Sequence, residues 1–260
     1  MENTNVGLFK EEQMVVSLNN KLFSELSGYL RLFITKLYGI IQENDLIKAE
    51  IVPDYQKPDF CVTVNEVTHY ISMKNGVVVT LQQLDIDKFC LYLKENKISN
   101  ETIETIRLFH YGDGTLDGTG KERLDYQSIM PTLAKCIARA NFELNRNKAF
   151  VWQTVEKCIF KGFSEEKIPA EFLYFGDTED GYIVSNEIVK KEVCTRYYGF
   201  YDNLHVGPIL FRPHARYAGK KILNEKYRRS VDFYWPNLES IVRRADRRYN
   251  TTYVPNKYKH

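Results

Sequence analysis

The chain has 260 residues, of which 43% are hydrophobic and 27% charged, and its formal net charge is +2. This composition is ordinary for a soluble globular protein. No apolar run approaches the roughly 18 residues of a membrane-spanning helix, and the polar start of the chain lacks the apolar core of a signal peptide. The five cysteines are scattered without a Cys-x-x-Cys pair, which argues against a zinc site or a disulfide framework and predicts a cytoplasmic protein.

The small net charge conceals two oppositely charged parts of the chain. Residues 212–260 contain 13 Lys and Arg against 4 Asp and Glu, a balance of +9. The totals of 36 and 34 then leave 23 basic against 30 acidic residues in residues 1–211, a balance of −7. A basic segment joined to an acidic body predicts a polyanionic partner, with a solvated or ion-paired surface as the alternative.

The first part of the chain has the pattern of helix followed by strand. Apolar residues recur at spacings of three and four over residues 8–43, which predicts helix, and Gly28 and Gly39 are points where that helix can divide. Residues 49–52 are expected to form a short strand.

Two short apolar runs then predict a β-hairpin. Phe60–Val64 alternates apolar with smaller or polar residues, and Tyr70–Met73 follows after a polar turn at Asn65-Glu66. A further strand is expected over residues 77–81, and a helix from Asp85 to Lys94.

The remainder of the chain alternates helices with short strands. Ser99 or Asn100 is expected to cap a helix that runs to Leu108, and residues 128–162 have the pattern of one or two helices. Further strands are predicted over residues 172–175, 182–184, 206–211 and 231–235, and further helices over residues 185–194 and 238–248.

The ends of the predicted hairpin carry charged residues suited to phosphate chemistry. Asp59 opens the first strand, and Lys74 closes the second. Ser72 and Lys74 are two residues apart, so the period of a strand places both on one face. A carboxylate and an ammonium at one end of a hairpin are suited to hold a metal ion and a phosphate.

These residues resemble the motif of the PD-(D/E)xK nuclease superfamily, which includes many restriction endonucleases. Pro58-Asp59 corresponds to the PD dipeptide, and Ser72-Met73-Lys74 corresponds to the (D/E)xK tripeptide with Ser in place of the usual acid. The resemblance covers roughly residues 20–95. It implies a restriction-endonuclease-like mixed sheet flanked by helices, in an α+β or α/β fold.

The resemblance also implies roles for individual residues. Asp59 would bind Mg²⁺, Lys74 would orient or deprotonate the attacking water, and Ser72 could bond a metal-bound water. Some restriction endonucleases with an SxK motif take the missing carboxylate from the following helix. Asp87 is the first candidate for this second metal ligand and Asp85 the second, since they follow Lys74 by thirteen and eleven positions.

Other acids and motifs are weaker candidates. Glu25 is a third choice for the missing carboxylate, Glu50 remains after it, and Pro53-Asp54 is a second PD dipeptide expected to lie in a loop. The glycine-rich stretch of residues 110–121 has the sequence HYGDGTLDGTGK. It does not match a P-loop, because the first glycine and the final Ser or Thr of that motif are replaced by other residues. It does not match an EF-hand loop either, because the Glu that ends such a loop is missing. We expect a tight surface loop there, one that could approach a phosphate backbone.

The basic C-terminal part supplies the candidate DNA contacts. The segment from Arg212 to Arg216 mixes Arg with His and Tyr and is the expected place of base or groove contact, whereas the last predicted helix would contact the backbone. The candidate DNA-binding residues are Arg212, His214, Arg216, Lys220, Lys221, Arg228, Arg229, Arg243 and Arg247, with Arg244 and Arg248 on the same side of the helix.

Together these features predict a Mg²⁺-dependent endonuclease of restriction or defence type that cleaves double-stranded DNA. A homodimer is expected from the resemblance alone. The alternative is a catalytically inactive nuclease-fold protein that binds DNA or serves as a scaffold, which Ser72 favours. RNA as the substrate and an unrelated α+β protein also remain open. We expect a nuclease-like core over residues 1–165 and a strand-rich, basic part over residues 166–260, which could belong to the same domain.

Overall fold

The computed structural model describes residues 6–53, 56–76, 78–120, 123–164, 168–196, 198, 203–214 and 225–249. It has an α+β fold with a six-stranded mixed sheet and a four-stranded antiparallel sheet, which confirms the expected mixed sheet flanked by helices. None of the described helices combines the length and the apolar character that a membrane span requires.

The secondary structure elements are numbered in chain order. The helices are α1 (Val6–Leu18), α2 (Gly28–Tyr38), α3 (Ile86–Glu95), α4 (Asn100–Tyr111), α5 (Tyr126–Arg146), α6 (Lys148–Glu156), α7 (Asn186–Cys194), α8 (Glu225–Arg228) and α9 (Leu238–Tyr249), with a 3₁₀ turn at Phe23–Glu25 and a π-helical turn at Lys157–Lys161. The strands are β1 (Lys21–Leu22), β2 (Leu46–Ile51), β3 (Phe60–Val64), β4 (Val67–Lys74), β5 (Val78–Asp85), β6 (Phe172–Gly176), β7 (Gly181–Ser185), β8 (His205–Val206), β9 (Ile209–Pro213) and β10 (Ser230–Pro236).

The chain forms two compact units, each made of separate stretches of sequence. The first unit comprises Met1–Val79, Glu156–Glu192 and Asn237–His260, and the second comprises Thr80–Val155 and Val193–Pro236. Strands from both sides of residue 165 therefore join one sheet in the first unit. The domain boundary near that residue stays a prediction from the sequence.

The first unit is built on the six-stranded sheet, in the order β1-β2-β3-β4-β6-β7. Its neighbouring strands are antiparallel except β4 and β6, which run parallel. Apolar residues of α1 and α2 cover one face of this sheet, where Phe60, Val62, Ile71 and Met73 are buried. Because side chains alternate along a strand, Ser72 and Lys74 lie on the opposite face.

The predicted β-hairpin is confirmed as β3 and β4. Phe60 pairs with Ile71 and Val64 with Val67, and the turn residues Asn65 and Glu66 both have positive φ. Two consecutive turn residues with positive φ give a tight turn whose twist matches that of the two antiparallel strands. The register that follows fixes which residues of the two strands stand opposite each other.

The long N-terminal helix predicted over residues 8–43 is divided. The chain leaves α1 after Leu18, forms β1 and a 3₁₀ turn, and enters α2 at Gly28, with Ser27 as the cap. The helical spacing of Leu22 and Leu26 concealed this break. Leu26 is buried in the core from non-helical backbone, whereas Leu22 is exposed on β1. Gly39 ends α2 with a positive φ, which supports its role as a helix stop.

The second unit packs helices against the sheet of order β5-β10-β9-β8. Phe89 of α3 contacts the rings of Phe211 and Phe233 edge to face and fixes the helix on this sheet. Residues 112–120 of the glycine-rich stretch form the predicted loop, whereas His110 and Tyr111 belong to the last turn of α4. The loop is organised by Asp113, which accepts hydrogen bonds from Thr115 and Gly120.

Helix α9 contributes its basic surface to the first unit and packs on β7, and its apolar residues Leu238, Val242 and Ala245 are buried. Asp246 projects toward α2, where both carboxylate oxygens lie 2.7 Å from the ammonium of Lys36. The two side chains are only 8% and 15% exposed, so solvent screens this ion pair weakly. The pair attaches the arginine-bearing helix to the core.

We expect Lys36→Met to lower the free energy of unfolding by about 3 kcal/mol, because it removes the ammonium that lies 2.7 Å from the nearly buried carboxylate of Asp246. Urea titration measures the change. The double variant Lys36→Met with Asp246→Leu should recover most of the stability, since it replaces the ion pair by apolar contact. A loss under 0.5 kcal/mol in the single variant, the size expected for an exposed pair, would contradict this account.

Candidate active site

Asp59 and Lys74 meet at one end of the hairpin in the first unit. The ammonium of Lys74 donates to Asp59 Oδ2 at 2.9 Å and to the backbone carbonyl of Met73 at 2.6 Å. The Ser72 hydroxyl lies 3.2 Å from the same carboxylate oxygen, and the Met73 backbone N–H also donates to it. The structure thus brings together three of the residues that the sequence singled out.

The register of the hairpin creates this contact. Asp59 extends β3 by one residue, because its N–H donates to Ile71 and its carbonyl accepts from Val52. This places Asp59 opposite Ser72, two residues before the end of β4. A shift of one residue in the pairing would turn Ser72 and Lys74 toward the core.

The site is partly shielded from solvent. The side chains of Asp59 and Lys74 are 21% and 13% exposed, and Ser72 is buried. Next to Asp59, the buried Lys57 donates to the carbonyl of Cys158 in the π-helical turn and fixes the entry into β3. Hydrogen bonds from charged donors are stronger in such surroundings than in water.

One acid shares the sheet face of Asp59. Glu50 of β2 pairs with Cys61, which is two residues from Asp59 on the same strand, so the carboxylates of Glu50 and Asp59 point to the same side. Diagonal neighbours of this kind have Cα atoms roughly 7–8 Å apart, within reach of a long side chain. The exposed Glu50 had only a minor place among the sequence candidates, because its proximity depends on strand register.

The acids predicted from the following helix belong to the second unit and are ion-paired there. Asp85 caps α3 through the Asp87 N–H and binds Arg229 at 2.9 Å, and Asp87 pairs with Arg107 and Arg229. Burial by itself would raise the pKa of the Asp85 carboxyl, but the hydrogen bonds from Arg229 and the helix hold it below its usual value. A metal-binding role for these acids stays a prediction from the sequence.

Glu25, the third candidate, caps the 3₁₀ turn by accepting from the Leu22 backbone N–H at 2.8 Å. Among the residues that the structure describes, no group of three or more His, Cys, Asp and Glu side chains is arranged to hold a metal ion.

The candidate DNA-binding residues of the second unit differ in their partners. Arg212 is exposed and lies over the ring of Tyr234 at 4.5 Å, and His214 is held by the buried Asp232 at 3.0 Å. Two others are ion-paired, Arg228 with Asp113 and Arg229 with Asp85 and Asp87. Arg216, Lys220 and Lys221, like Asp54, lie outside the described residues.

The four arginines of α9 are all exposed and line an open groove in the first unit. Gly76, which follows the end of β4, contributes the other wall of this groove. The sequence predicted a basic helix face here, but Gly76 carries no chemical signal of its own. Its place beside the arginines is a finding of the structure.

Neither the comparison with protein-family models nor the search of curated protein sequences finds a match for this chain. The resemblance to the nuclease superfamily therefore depends on its motif residues and on their arrangement.

We expect Asp85→Ala to destabilise the protein by about 1 kcal/mol at pH 7, because it removes the cap of α3. A carboxyl whose pKa is lowered by folding stabilises the protein above its unfolded pKa of about 3.9, and this contribution is lost as the pH falls through the lower folded value. The difference from wild type should therefore shrink below about pH 4 in denaturant titrations.

Asp85→Asn is the matched control, since Asn caps helices about as well as Asp but does not titrate. Asp85→Asn should retain most of the free energy of unfolding at pH 7. It should lack only the contribution that comes from ionisation of the Asp85 carboxyl. Equal stability of wild type and Asp85→Ala at pH 7 would contradict the capping role.

Proposed function

We propose that the protein is a Mg²⁺-dependent nuclease that hydrolyses phosphodiester bonds in double-stranded DNA, with Asp59 and Lys74 at its active site. The observation that carries the proposal is the contact of Lys74 Nζ with Asp59 Oδ2 at 2.9 Å, at the end of the hairpin that bears the nuclease-like motif. The arginine-lined groove in the same unit supports a polyanionic substrate.

The residues present fit a magnesium ion by the chemistry of their donors. Mg²⁺ prefers oxygen ligands, keeps several waters and is commonly held by one or two carboxylates together with substrate phosphate. Asp59 Oδ1 accepts no hydrogen bond from the described residues, and Glu50 offers a second carboxylate on the same face. When bound, the ion would offset phosphate charge and favour hydroxide at neutral pH.

Lys74 would stabilise negative charge on the phosphate during attack. Its ammonium has three N–H groups, and Asp59 and the Met73 carbonyl accept two of them. The third has no acceptor among the described residues and is available to a phosphate oxygen or to the attacking water. Holding the ammonium in place beforehand reduces the reorganisation needed in the transition state.

Ser72 and the Met73 N–H would position Asp59 for this chemistry. Both donate to Oδ2, which leaves Oδ1 as the oxygen that would bind the ion. Ser72 itself is buried and neutral, so it cannot supply the carboxylate charge that usually stands at this place in the motif.

A nuclease-fold protein that binds DNA without cutting it is the second candidate, and Ser72 is the observation that favours it. A plasmid-cleavage assay with and without EDTA separates the two. Cleavage that EDTA abolishes supports the enzyme, and binding without cleavage supports the alternative. We further propose a homodimer acting in restriction or defence, and a cytoplasmic location in keeping with five free cysteines.

Lys74→Ala should reduce Mg²⁺-dependent cleavage of plasmid DNA by at least 100-fold while DNA affinity changes little, because the variant lacks a charge that acts mainly in the transition state. Gel-based nicking and linearisation rates measure cleavage, and anisotropy in EDTA measures binding. Lys48→Ala is the matched control, since it removes an exposed lysine from β2 of the same sheet. Cleavage by Lys74→Ala at the rate of this control would remove Lys74 from the active site.

Glu50→Gln should raise the Mg²⁺ concentration needed for half-maximal cleavage by about 10-fold, because one carboxylate leaves more of the ion's charge uncompensated. Glu66→Gln, at the exposed turn between β3 and β4, is the matched control and should behave as wild type. An unchanged Mg²⁺ dependence in Glu50→Gln would exclude Glu50 as the second acid without affecting the assignment of Lys74.

A further inference from the structure

The basic surface of α9 forms one side of an open groove of about 680 Å³ in the first unit. Its other lining residues are Gly76 and the first turn of the helix, Asn237–Ser240. Glu239 is the one acid among these lining residues, against four arginines, so the groove is strongly positive.

The four arginines divide into two pairs by their partners. Arg244 and Arg248 lie 3.8 and 3.6 Å from the carboxylate of Glu192, whose side chain is only 5% exposed. Arg243 lies over the ring of Tyr182 at 5.9 Å and is not ion-paired among the described residues. Arg247 likewise has no carboxylate partner there, so these two guanidinium groups retain most of their capacity to bind an anion.

The helix that carries them is held firmly in place. The ion pair of Lys36 with Asp246 attaches one side of α9 to α2, and Glu192 of α7 receives the two arginines of the other pair. Groups fixed in this way lose less conformational entropy when a ligand binds. The remaining pair, Arg243 and Arg247, is one helical turn apart, a rise of about 6 Å.

The groove adjoins the proposed active site along the chain. Gly76 follows Lys74 by two residues, so their Cα atoms are at most about 7 Å apart. Gly76 has a φ of 91°, and a Cβ built on it would meet no atom of the described residues within 4 Å. A ligand backbone can therefore come close to the chain at this point.

We propose that this groove binds the phosphodiester backbone of the nucleic-acid strand next to the bond that is cleaved, with Arg243 and Arg247 contacting its phosphates. This inference rests on the proposed nuclease function and extends it by giving the substrate strand a path from Lys74 along α9. Regularly spaced phosphates match guanidinium groups one turn apart, and Arg binds phosphate oxygens in a bidentate manner.

The test measures binding of a fluorescent 20-base-pair DNA duplex in EDTA, where no cleavage occurs, at several salt concentrations. The variant Arg243→Gln with Arg247→Gln should bind about 10-fold more weakly at 0.1 M salt, and the slope of log K against log salt should fall by roughly 1.8, or 0.9 for each lost phosphate contact. The variant Arg243→Lys with Arg247→Lys should restore most of the slope, because it restores the charge.

Arg139→Gln with Arg146→Gln is the matched control, since it removes two exposed arginines from α5 in the second unit. It should leave affinity within twofold of wild type and the salt slope unchanged. Circular dichroism melting shows whether each variant is folded. We expect all of them to fold, because the changed arginines are exposed and are not the two that pair with Glu192.

Equal affinity and slope in the groove variant and the control would overturn the proposal. It would also be overturned if polyglutamate displaced the duplex as effectively as unlabelled DNA, since the groove would then bind acidic protein. Cleavage assays with wild type and Lys74→Ala run alongside. A groove effect without any cleavage refutes only the nuclease function, and Lys74-dependent cleavage without a groove effect refutes only the groove.

Discussion

The proposed active site depends on one carboxylate oxygen. Asp59 Oδ2 receives the Lys74 ammonium, the Ser72 hydroxyl and the Met73 backbone N–H, and all three donors come from the last residues of one strand. This convergence exists only in the register that pairs Phe60 with Ile71. The same register directs Ile71 into the core under α2, so the packing of the core and the geometry of the site constrain each other.

The division of the chain into two units separates the predicted site residues. The first unit contains the Asp59–Lys74 contact and the arginine groove, and this arrangement carries both proposals without a contribution from the second unit. In the second unit, Asp85 and Asp87 are ion-paired with arginines, and His214 is fixed by a buried carboxylate. These contacts have a structural explanation, whether or not the residues also bind a metal ion or DNA.

The local parts of this structure could be predicted from the sequence, and the long-range parts could not. Alternation and turn residues predicted the hairpin that joins Asp59 to Lys74, and the apolar period predicted a helix from Asp85 to Lys94, which the structure has as α3 with Asp85 as its cap. The parallel pairing of β4 with β6 joins residues about a hundred positions apart, which no local pattern encodes. For the same reason the sequence could not reveal that Gly76 lines the arginine groove, or that Glu50 shares the face of Asp59.

The most direct test of the account is a crystal structure of the protein with DNA and Mn²⁺, in which anomalous scattering identifies the metal. The account predicts an anomalous peak roughly 2.0–2.3 Å from Asp59 Oδ1, with Lys74 Nζ and a phosphate oxygen of the DNA beside it. A structure with DNA bound but no metal at Asp59, or with the metal held entirely by other residues, would contradict the central claim that this carboxylate and lysine form the catalytic centre.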